Sequence, residues 1–306
     1  MKGNTVIVIH GFTESIKSEG LAKATVKSYL INVRKISRFC FKNRIADVKE
    51  FDESFVKSYV NYLHAENLSL QTRKTALSIL KKLFEYCYDH ELILSNPFER
   101  MSVVLRGEKK ERKVFSEDQI TRFLDIIKAD NFIRSRDKSI FELLYGTGMR
   151  ISEAVFLNIE DVDTDHREVI ILHGKGGKQR IVPLCGMAYM AMVYWLKNYR
   201  MRKTEKDSKA LYVSLSGKRI DDGAIYRNFK TYLKKSGLAD KGFVPHSIRH
   251  SCATHMLDHG ADIRYVQELL GHESIETTGI YTKQEKTKLK KLHKMRHPRE
   301  NELYEE

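Results

Sequence analysis

One segment without any apolar face divides this sequence in two. Residues 106–113 read RGEKKERK, and all of them except the glycine carry charge. Such a stretch cannot contribute to a core and is typical of an exposed linker between domains. At 306 residues the chain is also longer than one ordinary domain. We therefore predict a first domain over residues 1–105, a linker over 106–113 and a second domain over 114–306.

The first domain has the apolar spacing of a helical bundle. Apolar residues recur every three or four positions over Thr25–Phe41 and in two later segments. Asp52 and Ser69 precede these later segments and are suited to cap them, and Asn96-Pro97 ends the pattern. These patterns predict a small helical bundle with basic outer faces. The predicted core residues are Val26, Tyr29, Leu30, Val33, Ile36, Cys40, Phe55, Val56, Tyr59, Val60, Leu63, Ala76, Leu77, Leu80, Leu83, Phe84 and Cys87.

The second domain combines helices with one short sheet. Two β-branched runs, Glu168–Leu172 and Gln179–Leu184, flank the glycine-rich segment His173–Lys178, a pattern typical of an antiparallel hairpin. Ser116 and Gln119 have the spacing of a capping box. The predicted fold class is mainly α: a helical bundle plus a mixed α/β domain, mostly helical with a small antiparallel sheet. Further helices are predicted over Met187–Arg200, Asp222–Lys235, His246–His259, Asp262–Leu270 and a basic tail, Glu285–Glu306, with C-caps at Gly260 and Gly271.

Charge indicates the class of binding partner, and cysteine usage indicates the cellular compartment. Lys and Arg number 54 against 40 Asp and Glu, a net charge of +14, so nucleic acid is favoured over an anionic membrane surface. No apolar run approaches the ~20 residues of a membrane span, and Met1–Phe12 lacks the pattern of a secretion signal. The four separated cysteines favour buried thiols in a reducing cytoplasm.

Several common catalytic signatures are missing from the sequence. It has no GxxxxGK[ST], no GxGxxG after a strand, no HExxH and no GxSxG, which argues against nucleotide, nicotinamide, zinc-protease and serine-hydrolase chemistry. Gly174–Lys178 lacks the strand–loop–helix setting of a phosphate loop, so a hairpin tip is the better interpretation. A zinc site on His246/His250 or His255/His259, each at i,i+4 spacing, lacks an obvious third ligand.

Arginine and histidine in turn-bounded segments suit phosphate chemistry. Arg150 follows an apolar helix end and two glycines, and Glu153, one turn later, is placed to orient it. His246 and Arg249 lie three apart, on one face of a predicted helix. An arginine beside a histidine offers a phosphate a charge clamp together with a proton donor or acceptor. Taken singly, each pattern also fits an ordinary surface arginine or amphipathic helix.

Four segments, taken in order, resemble the tyrosine recombinase (phage integrase) family. They are TGMRISEAVFLNIEDVD (Thr147–Asp163), GKGGKQRIVPL (Gly174–Leu184), HSIRHSCATHML (His246–Leu257) and LLGHESIETTGIYT (Leu269–Thr282). Four motifs in the family's order are far more specific than any one alone. The first domain and the linker resemble the family's core-binding domain and connector, with Ala22 where relatives often have a polar cap residue.

The resemblance implies a site that cuts DNA by transesterification. Tyr281 would attack the scissile phosphate, forming a 3′-phosphotyrosyl bond and freeing a 5′-hydroxyl. Because the covalent intermediate conserves the bond energy, the resemblance implies no cofactor and no metal. The implied catalytic residues are Arg150, Lys175, His246, Arg249, His272 and Tyr281.

The five residues other than the tyrosine would stabilise charge or move protons. The resemblance implies that the two arginines clamp the phosphate. Lys175 would protonate the leaving 5′ oxygen, and it is preferred to Lys178 because it is the first lysine of GKGxK. His246 would assist proton transfer and His272 would hydrogen-bond the phosphate.

The implied function is site-specific recombination of double-stranded DNA. Relatives close two domains around the duplex as a clamp and act as tetramers on two synapsed sites, so a homotetramer, or a heterotetramer with a paralogue, is expected, with the tail from Glu285 docked on a neighbour. Without an added arm-binding domain the chain resembles compact Xer-type enzymes, which implies dimer resolution in the cytoplasm, at the nucleoid. Integration or transposition of a mobile element, type IB topoisomerase-like relaxation and a non-catalytic DNA-binding scaffold remain alternatives.

Overall fold

Two compact units, Met1–Lys110 and Glu111–Glu306, make up the chain. The computed structural model describes residues 4–21, 23–107, 113–172, 179–201, 209–271 and 283–300. Each unit has its own hydrophobic core. Of the predicted linker, residues 108–112 lie outside the described residues.

The N-terminal unit is a helical bundle, as predicted. Asp52 accepts a hydrogen bond from the backbone N–H of Phe55, and Ser69 accepts one from that of Thr72, so both predicted caps are present. The apolar faces meet in an aromatic core, in which Phe39 contacts Phe55 edge to face. Four α-helices are described: α1 (Asn4–Ser18), α2 (Lys23–Lys42), α3 (Glu53–Ala65) and α4 (Leu70–Asp89).

Helix α1 was not predicted, because its sequence hides the helical period. Val6 and Ile7 are apolar yet about 70% exposed, at 71% and 69%. They stand beside Val8 and Ile9, which are buried, so the run of four apolar residues points to no single face. The residues that face the core do recur at helical spacing: Thr5, Val8, Ile9, Phe12 and Ile16.

The C-terminal unit contains the predicted antiparallel hairpin. Strands β2 (Glu168–Ile171) and β3 (Arg180–Pro183) pair with Ile171 opposite Arg180. A short strand that was not predicted, β1 (Val162–Asp163), pairs with β2 and completes a sheet in the order β1-β2-β3. The hairpin tip, residues 173–178, lies outside the described residues.

Helices make up most of the rest of this unit, and one of them is buried in the core. Every residue of α6 from Ser135 to Thr147 is buried, including four charged side chains. The capping box of Ser116 and Gln119 starts α5 as predicted. The fold class is confirmed as mainly α with a small antiparallel sheet. The helices are α5 (Glu117–Asp125), α6 (Phe132–Thr147), α7 (Ile151–Phe156), α8 (Gly186–Trp195, continued by a π-helical turn over Leu196–Arg200), α9 (Asp222–Lys235), α10 (Pro245–Asp258), α11 (Ile263–Leu270) and α12 (Lys283–Arg296).

The basic tail differs from its prediction in length and position. Helix α12 ends at Arg296, and the chain then turns back against its own unit. His293 donates from Nε2 to the Gly146 carbonyl at 2.8 Å, and Arg299 is buried in an ion pair with Glu142. As far as Glu300, the described tail therefore packs on its own unit, and its docking on a neighbour stays a prediction. Residues 301–306 lie outside the described residues.

All four cysteines are buried and form no disulfide, as predicted from their spacing. Burial raises the pKa of the Cys252 thiol to about 12, so this thiol is a core group and not a nucleophile. Within the described part of the chain, none of the helices has the length and apolar character needed to cross a membrane.

Candidate active site

A left-handed glycine at the end of α6 positions Arg150. Gly148 has φ +60°, which favours glycine, and a Cβ there would lie 2.6 Å from Leu270 Cδ2. The chain reverses at this residue, so that Arg150 becomes the N-cap of α7. Its side chain is 26% exposed and lies at the surface of the unit. The two glycines before the arginine in the sequence indicated this turn correctly.

Glu153 lies between two arginines in the first turn of α7. Its Oε2 accepts from the Arg150 backbone N–H at 2.7 Å and from Arg180 Nη2 at 2.8 Å. Its Oε1 accepts from Arg150 Nη1 at 2.9 Å and from Arg180 Nη1 at 3.0 Å. Burial raises the pKa of this carboxyl, but the hydrogen bonds and charge of Arg180 and Arg150 outweigh burial and hold the pKa below its ordinary value. Glu153 is therefore a carboxylate that fixes the Arg150 side chain, as its spacing predicted.

Arg249 reaches the same turn from α10. It is buried, and it donates from Nη1 to the Gly148 carbonyl and from Nη2 to the Leu270 carbonyl, each at 2.7 Å. Burial and the nearby charge of Arg150 lower its pKa to about 10, so it stays charged at neutral pH. These bonds engage two of the five N–H donors of a guanidinium. Arg150 and Arg249 are thus brought to the two sides of one glycine turn.

The histidines of α10 occupy different environments. His246 is exposed in the first turn of the helix, and its ring centroid lies 6.4 Å from that of His250. His255 is buried, its Nε2 donating to the Phe115 carbonyl and its Nδ1 accepting from Tyr145, each at 2.8 Å. Both ring nitrogens of His255 have protein partners, so a zinc site on the pair His255/His259 is ruled out.

Comparison with known proteins agrees with this arrangement. The model of the phage integrase family matches residues 113–288, more than half of the chain, and that of the phage integrase N-terminal SAM-like domain matches residues 8–94. The chain belongs to the phage integrase family. It is a tyrosine recombinase, an enzyme of the site-specific DNA strand-transferase class.

Relatives of this tyrosine recombinase match over nearly their whole length. The tyrosine recombinase XerC of Psychromonas ingrahamii is 34% identical over 92% of this chain and 92% of its own. The XerD protein of Staphylococcus saprophyticus is 30% identical over 95% and 99%. A lambda integrase tetramer bound to a Holliday junction is 18% identical, with a TM-score of 0.71 over 90% of this chain and 80% of that chain. At that identity the lambda likeness shows the fold alone.

Three of the six predicted catalytic residues can be located in this recombinase. Arg150 and Arg249 lie on the turn at Gly148, and His246 lies on the same helix as Arg249. The other three lie outside the described residues: Lys175, His272 and Tyr281.

Arg180 belongs to the site but was not singled out from the sequence. It lies within the matched segment GKGGKQRIVPL, at the first position of β3, where a charged residue is compatible with an exposed strand end. Its side chain is only 10% exposed and pairs with Glu153. The periodicity of a four-residue strand is too short to show that this arginine faces inward.

Proposed function

We propose that this recombinase cleaves and rejoins double-stranded DNA through a phosphotyrosyl intermediate. The observation that carries the proposal is the convergence of Arg150 and Arg249 on the turn at Gly148, with Glu153 holding one of them. Three arginines and one carboxylate give this cluster an excess of two positive charges. A phosphodiester carries one negative charge and gains a second as its transition state forms, so the cluster suits that reaction.

The remaining residues of the proposed site supply the nucleophile, transfer the protons and hydrogen-bond the phosphate. The Tyr281 oxygen attacks the phosphorus, and the bond from phosphorus to the 5′ oxygen breaks. Its phenolic proton leaves with the help of His246, and Lys175 donates a proton to the 5′ oxygen. His272 hydrogen-bonds a non-bridging oxygen. Reversal of these steps on another strand rejoins the DNA without ATP, because the phosphotyrosyl bond keeps the energy of the bond that was cut.

The proposed biological role is resolution of chromosome or plasmid dimers, at the nucleoid in the cytoplasm. It is supported by the XerC and XerD relatives, which match this chain almost from end to end. Assembly as a tetramer, either of this chain or with a paralogue, is proposed because the lambda integrase of similar fold forms a tetramer on a Holliday junction. The net charge of +14 supports a clamp of two units around the DNA backbone.

A trapped covalent adduct tests the chemistry. Genomic fragments retained by the Tyr281→Phe protein would give the target site. In a duplex nicked just beyond that site, cleavage releases the short fragment that carries the new 5′-hydroxyl and so traps the adduct. We expect wild type to form a protease-sensitive adduct and Tyr281→Phe to form none. Tyr226→Phe, which alters an exposed tyrosine on α9, is the matched control and should react like wild type.

Two outcomes of this assay would contradict the proposal. One is that wild type binds the site and yields no adduct, and the other is that Tyr281→Phe yields as much adduct as wild type. A supercoiled plasmid with two directly repeated sites then tests the role. Two product circles support resolution, whereas relaxed plasmid without exchange indicates topoisomerase-like activity.

A further inference from the structure

Arg180 connects three parts of the site through one side chain. It donates two hydrogen bonds to Glu153, as described above, and a third from Nε to the Leu269 carbonyl at 3.1 Å. Its guanidinium also lies against the backbone of Gly271, where a Cβ would come within 3.0 Å of Nη1. Strand β3, helix α7 and the end of α11 are therefore joined at this one guanidinium.

Glu153 depends on Arg180 for half of its hydrogen bonds. The carboxylate is 2% exposed, so water cannot replace a lost partner without rearrangement. Without Arg180, each oxygen would keep one bond to Arg150 and lose its second. A buried carboxylate that lacks partners attracts a nearby cation more strongly. The Arg150 guanidinium would then shift further toward Glu153 and away from its position for binding a phosphate.

The end of α11 also depends on both arginines. Arg180 binds the Leu269 carbonyl, and Arg249 binds the next carbonyl along, that of Leu270. Carbonyls at the end of a helix have no partner within the helix and attract cations. Loss of Arg180 therefore changes the surroundings of both phosphate-binding arginines, that of Arg150 through Glu153 and that of Arg249 through α11.

We propose that Arg180 is a positioning residue for strand cleavage. It acts through Glu153 to hold Arg150, and through the Leu269 carbonyl to fix the helix end that Arg249 contacts. This inference rests on the proposed function, because Arg180 acts only by holding the two arginines that are proposed to bind the scissile phosphate. Arg180 itself touches neither the phosphate nor the reacting atoms in this mechanism.

Single-turnover cleavage of the nicked duplex measures the effect of Arg180→Gln. We expect cleavage to slow by about 10²-fold, the typical result of displacing a catalytic group by ~1 Å, while affinity for the duplex changes by less than about threefold, since Arg180 makes no direct DNA contact in this mechanism. Arg180→Lys keeps the charge but loses the paired geometry, so its rate should be intermediate. If Arg180→Gln does not fold, the cleavage rate of Arg180→Lys tests the proposal instead.

A neutral phosphate separates positioning from general loss of structure. Replacing one non-bridging oxygen of the scissile phosphate with methyl removes the charge that Arg150 binds. On this substrate the ratio of the wild-type rate to the Arg180→Gln rate should be at least ~10-fold smaller than on the charged one. Less negative charge develops in its transition state, so misplaced arginines slow the reaction less. Arg219→Gln is the matched control: Arg219 is partly buried and donates to the Val155 and Leu157 carbonyls, and its ratio should be equal on both substrates.

The outcomes distinguish this inference from the proposed function. Equal ratios on the charged and neutral substrates, or cleavage by Arg180→Gln at the wild-type rate, would overturn the positioning role alone. Failure of wild type to form any adduct would overturn the proposed function and this inference together.

Discussion

Glu153 and Glu142 are both inaccessible carboxylates, and each lies between two cations of the same unit. Glu153 pairs with Arg150 and Arg180, and Glu142 pairs with Lys138 and Arg299. Sequence and pairing alone would not separate these two clusters. Their difference lies in the cations, because Arg150 is 26% exposed whereas Arg299 is 1% exposed.

Net charge separates the two clusters further. Around Glu153 stand three arginines, counting Arg249, so positive charge is left over for an anion. Around Glu142 the cations Lys138 and Arg299 are balanced by Glu142 and Asp125. The first cluster, which we call the clamp, has the net positive charge that the proposed binding of a phosphate requires. The second, the tail cluster, is closed and attaches the chain's C-terminal segment to α6.

Exchange of one arginine in each cluster should therefore give opposite results. Arg299→Gln leaves Glu142 under-paired in the core, and we expect the free energy of unfolding in urea to fall by about 3–5 kcal/mol. Arg150→Gln should change stability far less, because the Arg150 side chain is 26% exposed and is not part of the core, but it should slow cleavage about 10²–10³-fold. Rates are compared per folded molecule. Equal rate losses in the two variants would mean that the clusters do not differ in function.

The tail cluster also changes how the C-terminal segment can be tested. Deletion of the chain after Lys291 would remove His293 and Arg299 from the core, so it would destabilise the whole unit. A synapsis defect in such a deletion could not be assigned to a missing contact with a neighbour.

Glycines beside the two clusters offer a second, smaller contrast. Gly148→Ala introduces a Cβ at φ +60° and 2.6 Å from Leu270 Cδ2, and we expect a loss of about 2–3 kcal/mol with slower cleavage. Gly186→Ala would meet the Glu300 carbonyl at 2.3 Å and should cost about 1–3 kcal/mol without slowing cleavage.

The control for the glycine pair is Gly237→Ala. Gly237 has φ +71° and nothing within 4 Å of its Cβ position, so this variant measures the conformational cost alone, about 1 kcal/mol. If Gly148→Ala costs no more than Gly237→Ala and cleaves normally, close packing at the turn does not matter for the clamp.

The sequence predicted the fold where apolar spacing or turn chemistry was local. The caps at Asp52, Ser69 and Ser116, and the strands around residues 168–184, follow from short-range rules and were confirmed. Helix α6 shows the limit of such rules. Its first half is rich in charge, yet it is buried: Lys138 pairs with Glu142 one turn along the helix, and Glu142 gains a second cation, Arg299, from the far end of the chain.

The same limit applies to the candidate site. Glycine spacing and the family motifs indicated Arg150, Glu153 and Arg249, because each of them lies within a short motif that can be read from neighbouring residues. Arg180 was missed because its partner Glu153 is 27 residues away in the sequence. A salt bridge across that separation is a tertiary contact, and a single sequence contains no periodic signal for it.

Acidification should weaken the packing of the C-terminal segment, which the tail cluster attaches to α6, at a higher pH than it affects the clamp. Burial lowers the pKa of His293 to about 4, and burial together with His293 lowers that of His297 well below its ordinary value. The unfolded chain therefore takes up protons below about pH 6.5 while the folded chain does not. The contribution of the two neutral histidines to the free energy of unfolding is complete above that pH. It is lost as the pH falls toward 4, by up to about 1.4 kcal/mol per pH unit for each histidine. Glu153, whose pKa is lowered, contributes fully until the pH falls below about 4.5.

Urea unfolding at pH 7, 6 and 5 tests this order. Wild type should lose stability with each step, and His293→Gln should lose less per step because one of the groups is removed. His255, whose pKa burial also lowers, adds to the slope of every variant, so the difference between wild type and His293→Gln is the measure. Identical slopes for these two proteins, or stability that rises on acidification, would mean that the tail does not dock through neutral imidazoles.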